Sequence, residues 1–385
     1  MKKNESKKES GSYYTPDILA DFIAYHVFST YSFSKNINVL EPSAGDGIFF
    51  ESIFNNQLFK NRFKLPSKIS ITAVEKETKA IENAKARSKK FPSSLAKIKY
   101  QNQDYLEFQA GNKEKFDLVI GNPPYIKSQH LSDKQIKLCA ALHKEFKLQD
   151  KSIKNIWTSF LLGAVASLNK NGVLCFVLPA ELLQVIYAKE LRELLRSSFD
   201  RIEIFTFNEL IFPEIEQDVI ILICGNGREP GVSFYHVEKL DDLREPTFTR
   251  DHSNIHRQTL DKWTNYILSD SELEFLDSLR EKLLPIKNYC KAEVGIVTAA
   301  NDYFIVNKST LKKSGIKGVA KPILQKGSFA PSSIRFKKTD YDNIVSADKS
   351  AFLLAFQNKD SSSFSTAIKK YLKTGKDLAI DKRYK

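Results

Sequence analysis

Short β-branched runs alternate with longer amphipathic stretches through the first 225 residues, the pattern of strands joined by crossover helices in a mostly parallel sheet. Strands are predicted at Asn38–Leu40, Ile69–Val74, Ile98–Tyr100, Phe116–Ile120, Val173–Leu178, Ile202–Phe207 and Val219–Cys224, with helices filling most intervals. The first helix is expected to run from Thr15 to about Tyr31. In that reading Thr15 is a side-chain N-cap, Pro16 takes the first helical position, where its missing N–H costs nothing, and Asp17 sits near the positive end of the dipole. Asn208 to Gln217 leaves no room for a helix, so the last two strands should pair antiparallel. Beyond Gly231 the pattern is irregular and interrupted by Pro246 and Pro285. The expected division is a disordered tail at 1–12, a principal α/β domain at 13–230, a connecting region at 231–285 and a smaller unit at 286–385.

Charge sharpens this picture. Of the formal net charge of +13, the segment from Ile286 to Lys385 carries +12, from 20 Lys/Arg against 8 Asp/Glu. A block of that sign attracts phosphate. Cys139, Cys175, Cys224 and Cys290 are widely spaced, with no CxxC and no nearby His pair, which argues against a disulfide framework or a zinc site and reads as reduced core thiols in a cytoplasmic protein. The longest apolar run, Ile156 to Leu168, is broken by Thr158, Ser159 and Ser167, so no membrane span is expected. The first dozen residues carry no apolar stretch resembling a signal or anchor.

Candidate chemistry clusters at predicted strand ends. Val39-Leu40-Glu41-Pro42-Ser43-Ala44-Gly45-Asp46-Gly47 follows one strand and precedes a helix, placing glycines where the chain must turn tightly beside a ligand. A third glycine of the dinucleotide fingerprint would fall at Phe50, and no GK[ST] phosphate loop is present. Taken alone, the stretch is equally a plain strand-to-helix turn. Glu75, followed by Lys76, closes the next strand and can accept hydrogen bonds from both hydroxyls of a ribose. One strand later, in Asn102-Gln103-Asp104-Tyr105, a carboxylate can accept from an adenine amine while the adjoining ring packs on the base. Open α/β sheets bind ligands outside the carboxyl ends of their strands, and here three successive ends carry a glycine turn, a Glu and an Asp.

The most specific signal is Asn122-Pro123-Pro124-Tyr125, directly after Phe116–Ile120. Two prolines remove backbone donors, fix φ and hold Asn122 out of the helical region. An adenine amine is a poor nucleophile because its lone pair is delocalised into the ring. If the Asn122 side-chain oxygen and the Pro123 carbonyl each accept one amine hydrogen, the nitrogen can rehybridise and aim its lone pair at an electrophile. A neutral Asn does this through positioning, with no covalent intermediate.

These residues resemble the motifs of class I S-adenosylmethionine-dependent methyltransferases: motif I at the glycine turn, II at Glu75, III at Asp104 and IV at the Asn-Pro-Pro-Tyr tetrad. Gly11-Ser12-Tyr13-Tyr14-Thr15-Pro16 resembles motif X. Its position ahead of motif I is similar to the gamma class of N6-adenine DNA methyltransferases of restriction-modification systems. The resemblance implies an α/β fold with a mostly parallel sheet ending in an antiparallel hairpin, and S-adenosyl-L-methionine as cofactor. It also implies that Tyr14, Thr15, Glu41 and the Ser43-Ala44-Gly45-Asp46-Gly47 turn hold the methionine end, with Glu75, Lys76, Asp104, Tyr105 and Asn122 completing the cofactor site. Tyr125 and Phe212, the latter in Leu210-Ile211-Phe212-Pro213, would stack on the two faces of an adenine swung out of double-stranded DNA. By residue type alone, Phe212 reads more as a core residue than a stacking one, and only the motif spacing lifts it.

From Val294 to Phe304 the chain resembles the opening of a target-recognition region, with Ala299 where the family often has glycine. Lys312, Lys313, Lys317, Lys321, Arg335, Lys337 and Lys338 would supply phosphate contacts there, or form a solvated basic surface. The chain stops at Asp381-Lys382-Arg383-Tyr384-Lys385, where similar proteins continue, so an incomplete recognition unit and relaxed sequence preference are expected. With only a dozen residues ahead of motif X, restriction would fall to a separate cognate endonuclease. The tetrad also suits protein-glutamine methylation, and RNA adenine and a catalytically inactive DNA-binding scaffold stay open. The short segment ahead of motif X and the basic block downstream favour DNA.

Overall fold

The computed structural model describes residues 14–149, 153–212, 217–227, 230–246, 251–252, 263, 270–291, 293, 295–330, 335–356 and 363–380. The expected tail at 1–12, Val294, Pro213 and the closing Asp381–Lys385 lie outside them. The chain divides into two compact units, Met1–Lys282 and Leu283–Lys385.

In the first unit all seven expected strands form: β1 (Asn36–Glu41), β2 (Lys68–Glu75), β3 (Ala96–Asn102), β4 (Phe116–Gly121), β5 (Leu168–Pro179), β6 (Arg201–Phe207) and β7 (Val219–Gly225). Between them run α1 (Asp17–Thr30), α2 (Ile48–Phe54), α3 (Thr78–Ser88), α4 (Tyr105–Gly111), α5 (Asp133–Glu145), α6 (Trp157–Ser167) and α7 (Lys189–Ser198). The spatial order is β3-β2-β1-β4-β5-β7-β6, extended by β8 (Gly231–Val237) and β9 (Asp251–His252). Strands β1 to β5 pair in parallel, and β7 lies antiparallel to both β5 and β6. This is the class I methyltransferase fold. Because helices cover the sheet, its middle strands are apolar on both faces: Val39, Leu40, Leu118, Val119, Leu174 and Ile221 are fully buried.

Three expectations are corrected. Gly231–Val237, assigned to a connecting region, forms β8 and runs parallel to β6. The insertion of β7 leaves the far side of β6 unpaired, and β8 covers it with Phe234, Tyr235 and Val237 buried. Pro16, not Thr15, is the N-cap of α1: its ψ of 142° is extended and its carbonyl accepts from the N–H groups of Leu19 and Ala20. No side chain caps this helix, which leaves Thr15 for other work. Cys139, Cys175 and Cys224 are buried, whereas Cys290 is exposed, so it is not a core thiol.

The β6 edge carries a buried charge. Glu203, fully buried on β6, accepts from Arg201 at 2.8 Å, from Tyr31 at 2.8 Å and from Tyr235 at 3.1 Å, and lies 3.2 Å from His26 Nε2. Burial pushes its carboxyl up, but the hydrogen bonds and charges of His26 and Arg201 outweigh that and hold it well below the ordinary carboxylate range. The cluster ties α1 and β8 to the sheet.

The second unit is a small antiparallel sheet in the order β10-β12-β11 (Ile305–Val306, Phe352–Leu354, Ala320–Pro322). Its core gathers Val306, Leu311, Ile316 and Leu354. Tyr303 and Tyr371 stack at 4.9 Å, and each hydroxyl donates to the other residue's carbonyl, at 3.1 and 2.8 Å. Ala299 has a φ of +56°, the left-handed region that favours glycine.

Two outcomes follow for stability. The folded Glu203 pKa lies below its ordinary value of 4.5, so the stability it contributes is present above that value and is lost as pH falls toward the folded pKa. Glu203→Gln should cost roughly 3–5 kcal/mol at neutral pH and flatten the acid side of the stability profile, as read by urea unfolding at several pH values. Ala299→Gly should raise the stability of the terminal unit by up to about 1 kcal/mol, by relieving the left-handed strain, visible as a higher Tm.

Candidate active site

At the carboxyl ends of β1, β2, β3 and β4 lies a cleft of about 410 Å³, within the roughly 300–1,000 Å³ of small-molecule pockets. It gathers Tyr14, Ser43, Gly45, Glu75, Lys76, Asp104, Tyr105, Asn122 and Pro124 from the sequence expectation. Parallel pairing aligns these ends: β1 lies between β2 and β4, and Glu75 pairs with Asn102 across β2 and β3.

The glycine turn is stitched internally. The N–H of Ala44 donates to Val74 O at 3.0 Å, that of Gly45 to Glu75 Oε2 at 3.0 Å and that of Gly47 to Ala44 O at 2.8 Å. Gly47 has a φ of +87°, and a Cβ there would stand 2.1 Å from the fully buried Phe50 ring, so only glycine fits. Gly45 borders the cleft at a φ of +52° with open space beside it.

Several cofactor assignments are revised by these contacts. Ala44 and Gly47 do not border the cleft, and their N–H groups serve the turn. Asp46 is paired with Arg87 of α3 at 2.7 Å, and Arg87 also reaches Glu51 at 2.8 Å, so this carboxylate braces α2 and α3 around the turn. Glu41 at the end of β1 does not border the cleft either: it is 1% exposed, with Oε1 lacking a hydrogen-bond partner among the described residues. Burial, then the charges of Asp46 and Glu75, push its carboxyl well above the usual range. An unpaired buried carboxylate is costly unless a donor or cation meets it.

Glu75 uses both oxygens on backbone, accepting from Gly45 and, through Oε1, from Glu77 N–H at 2.8 Å; each oxygen keeps one further lone-pair site for a hydroxyl. Asp104 caps α4 by accepting from Leu106 N–H at 2.8 Å. Tyr105 is buried beside it with its ring 4.7 Å from Phe160. Phe160, Ile126 and Ile156 complete an apolar wall that the motif spacing did not reveal, because α6 and the segment before it reach the cleft only through tertiary packing. Gln135 also borders the cleft. The Ser-x-x-Gln spacing from Ser132 is legible in the sequence as a capping box, although its reach to the cleft is not.

Asn122 leaves the end of β4. Its Nδ2 donates to Thr15 Oγ1 at 3.3 Å, and its own carbonyl accepts from Ser43 Oγ at 3.0 Å. Thr15, freed from capping, thus joins the site through Asn122 without bordering the cleft itself. The Tyr125 hydroxyl lies 3.0 Å from Asn122 Oδ1 and 3.2 Å from Val177 O, a donor to either. This departs from the stacking expected of Tyr125: the ring is buried and does not border the cleft, because its hydroxyl is drawn down between Asn122 and β5. Phe212 is also buried and away from the cleft, as its other reading as a core residue has it. Pro123 is buried and does not border it either.

The set fits S-adenosylmethionine. Glu75 suits its ribose diol, Asp104 an amine and the Tyr105–Phe160 wall a flat ring.

The family model described as Eco57I restriction-modification methylase matches residues 23–212, and that described as Type II methyltransferase M.Eco57I, C-terminal domain, matches residues 260–385. The two models together match most of the chain, which is similar to restriction-modification methylases. S-adenosylmethionine is the cofactor that this fold and these likenesses support. The chain is 27% identical over 395 residues to Type II methyltransferase M.AccI of Acinetobacter calcoaceticus, covering 99% of this chain and 68% of that protein. It is 28% identical over 221 residues to M.BanIII of Aneurinibacillus aneurinilyticus, covering 53% and 36%. To M.HincII of Haemophilus influenzae it is 26% identical over 228 residues, covering 58% and 39%. The methylase chain therefore spans about two thirds of the first relative and under two fifths of the other two.

Among solved structures, the DrdV–DNA complex superposes with a TM-score of 0.55 at 11% identity, covering 93% of the methylase chain and 42% of that one. A nuclease-deletion mutant of the Type ISP restriction-modification enzyme LlaGI, bound to a DNA substrate mimic, gives 0.54 at 17% identity, covering 80% and 36%. At those identities the likeness is one of fold.

Gly47→Ala should destabilise the methylase by at least roughly 1–3 kcal/mol and weaken S-adenosylmethionine binding, because neither the backbone nor Phe50 can yield without moving the turn. Calorimetric titration and thermal unfolding of the same sample check both.

Proposed function

We infer that the chain transfers a methyl group from S-adenosylmethionine to the exocyclic N6 amine of an adenine in double-stranded DNA, as the modification activity of a restriction-modification system. The observation that carries this is the fixed amide of Asn122, on the same cleft as Glu75 and Asp104. The cofactor supplies an electrophilic methyl group on a sulfonium. The chain's own groups prepare the amine. Asn122 Nδ2 donates to Thr15 Oγ1 and Oδ1 accepts from the Tyr125 hydroxyl, so the amide is held at both ends. Oδ1, beside the Tyr125 hydroxyl, is offered to one amine hydrogen, and the Pro123 carbonyl, which does not border the cleft, would have to turn toward it to accept the other. Tyr125 then acts through Asn122, holding the oxygen that receives the amine, and stacking on the base would need its ring to move outward. Reaching this amine requires the adenine to leave the helical stack.

Thr15 and Tyr14 precede the glycine turn, which precedes the tetrad, the gamma order of such enzymes. DNA is favoured over a protein carboxamide or RNA by three observations together. The relatives bear the names of Type II methyltransferases, two solved structures of similar fold are DNA-bound restriction-modification enzymes, and Lys312, Lys313, Lys317, Lys321, Arg335, Lys337 and Lys338 are all exposed on the terminal unit. Those side chains would meet phosphates. A cognate endonuclease is the expected partner and the cytoplasm the expected setting; among the described residues no helix is long and apolar enough to cross a membrane.

Transfer of tritiated methyl to duplex DNA, RNA and a release-factor protein should label DNA alone, with N6-methyladenine as the labelled nucleoside. Asn122→Ala should lower the rate by about 10²–10³-fold with cofactor affinity within a few-fold. Glu75→Ala should chiefly weaken cofactor binding, by about tenfold or more. The reverse pattern, or label in RNA or protein, would overturn the assignment.

A further inference from the structure

Gln135 belongs to none of the motifs above, yet it stands on the cleft wall in the first turn of α5. Its Nε2 donates to Asp104 Oδ2 at 2.9 Å. Its Oε1 accepts from the Ser132 N–H at 3.1 Å and from Ser132 Oγ at 3.3 Å, while Gln135 N–H donates back to Ser132 Oγ at 3.3 Å. The capping box settles which end of the amide is which. A flip would set the NH2 group against the Ser132 N–H and the amide oxygen against the Asp104 carboxylate, two repulsive pairs. Both lone pairs of Oε1 are used, and one of the two Nε2 hydrogens is used on Asp104. The second hydrogen stays beside Asp104 as a donor. Asp104 in turn spends one site of Oδ1 on Leu106 and one of Oδ2 on Gln135, and keeps acceptor capacity on each oxygen.

The cleft therefore offers an acceptor and a donor side by side, fixed to the starts of α4 and α5. Adenine presents the complement, an amine hydrogen next to a ring nitrogen acceptor. A 6-oxo purine presents the opposite, a carbonyl oxygen that would face the Asp104 carboxylate. We propose that Gln135 is a specificity-determining residue that, with Asp104, selects the adenine ring of the cofactor against its deaminated form. This rests on the S-adenosylmethionine reading of the cleft and names a residue that reads its base. The ring would lie against Tyr105 and Phe160, which form the flat wall beside the pair.

Calorimetric titration of the full chain with S-adenosylhomocysteine and with S-inosylhomocysteine tests the pairing. The wild type should prefer the adenosyl compound by tenfold or more. Gln135→Glu keeps a capping-box side chain on Ser132 but replaces the donor with a second carboxylate, and Gln135→Leu removes it. Both should weaken adenosyl binding by about tenfold and bring the ratio of the two affinities toward one. Ser132→Ala loosens the same helix start but leaves the Ser132 N–H on Oε1, so it should lower Tm and move the ratio less than either Gln135 variant. An unchanged ratio in both Gln135 variants would overturn the proposal and assign the donor elsewhere, such as the Tyr105 backbone N–H. Failure of the wild type to bind either nucleoside would instead overturn the cofactor reading itself.

Discussion

The hydrogen bond from the Gly45 N–H to the Glu75 carboxylate, 3.0 Å long, is the contact on which the cleft depends. It crosses from the turn after β1 to the end of β2, and the same carboxylate holds the Glu77 N–H with its other oxygen. One side chain thus fixes two turns, and the open space beside Gly45 becomes a place where a ligand can sit. The geometry exists because β1 and β2 are parallel and in register, which brings their carboxyl ends to the same edge of the sheet. An antiparallel pair would have sent those ends in opposite directions.

Charge is distributed to suit this arrangement. Glu41, Asp46, Glu75 and Glu77 crowd the glycine turn, and Arg87 offsets Asp46 and Glu51 from the α3 side. Glu41 is buried, and its Oε1 has no hydrogen-bond partner among the described residues, a cost the fold carries. The terminal unit carries the opposite sign, with exposed lysines facing solvent. Acid gathered at the glycine turn and base exposed at the carboxy-terminal end thus fall in separate units of the chain.

Most of the sheet was legible because its strands are short apolar runs bounded by turns, and buried parallel strands have no other composition available to them. The strand at Gly231–Val237 was not. Its neighbours are proline-rich and polar, and the reason it pairs is the open edge of β6, which no local pattern announces. The same holds for Thr15. Its residue type and its place before Pro16 suit a helix cap, but Pro16 took that position, and the hydroxyl meets Asn122, 107 residues away. Tyr125 shows the reverse: its motif marks it as important, while only packing shows the ring turned down onto Val177 and the Asn122 amide.

What the sequence by itself determined is the order of elements and the chemistry at each strand end: Glu41 with its glycine turn, Glu75, Asp104 and Asn122. Those follow from local periodicity, from residue type and from spacing, which act over a few residues. Tertiary structure alone decided which atoms remain available. The amides of Ala44, Gly45 and Gly47 are consumed within the protein, Asp46 is neutralised by α3, and Gln135 arrives from α5 to complete the wall beside Asp104. Hydrogen-bond capacity is finite, and whether a donor or acceptor is left for a ligand depends on every neighbour that folding brings within about 3 Å.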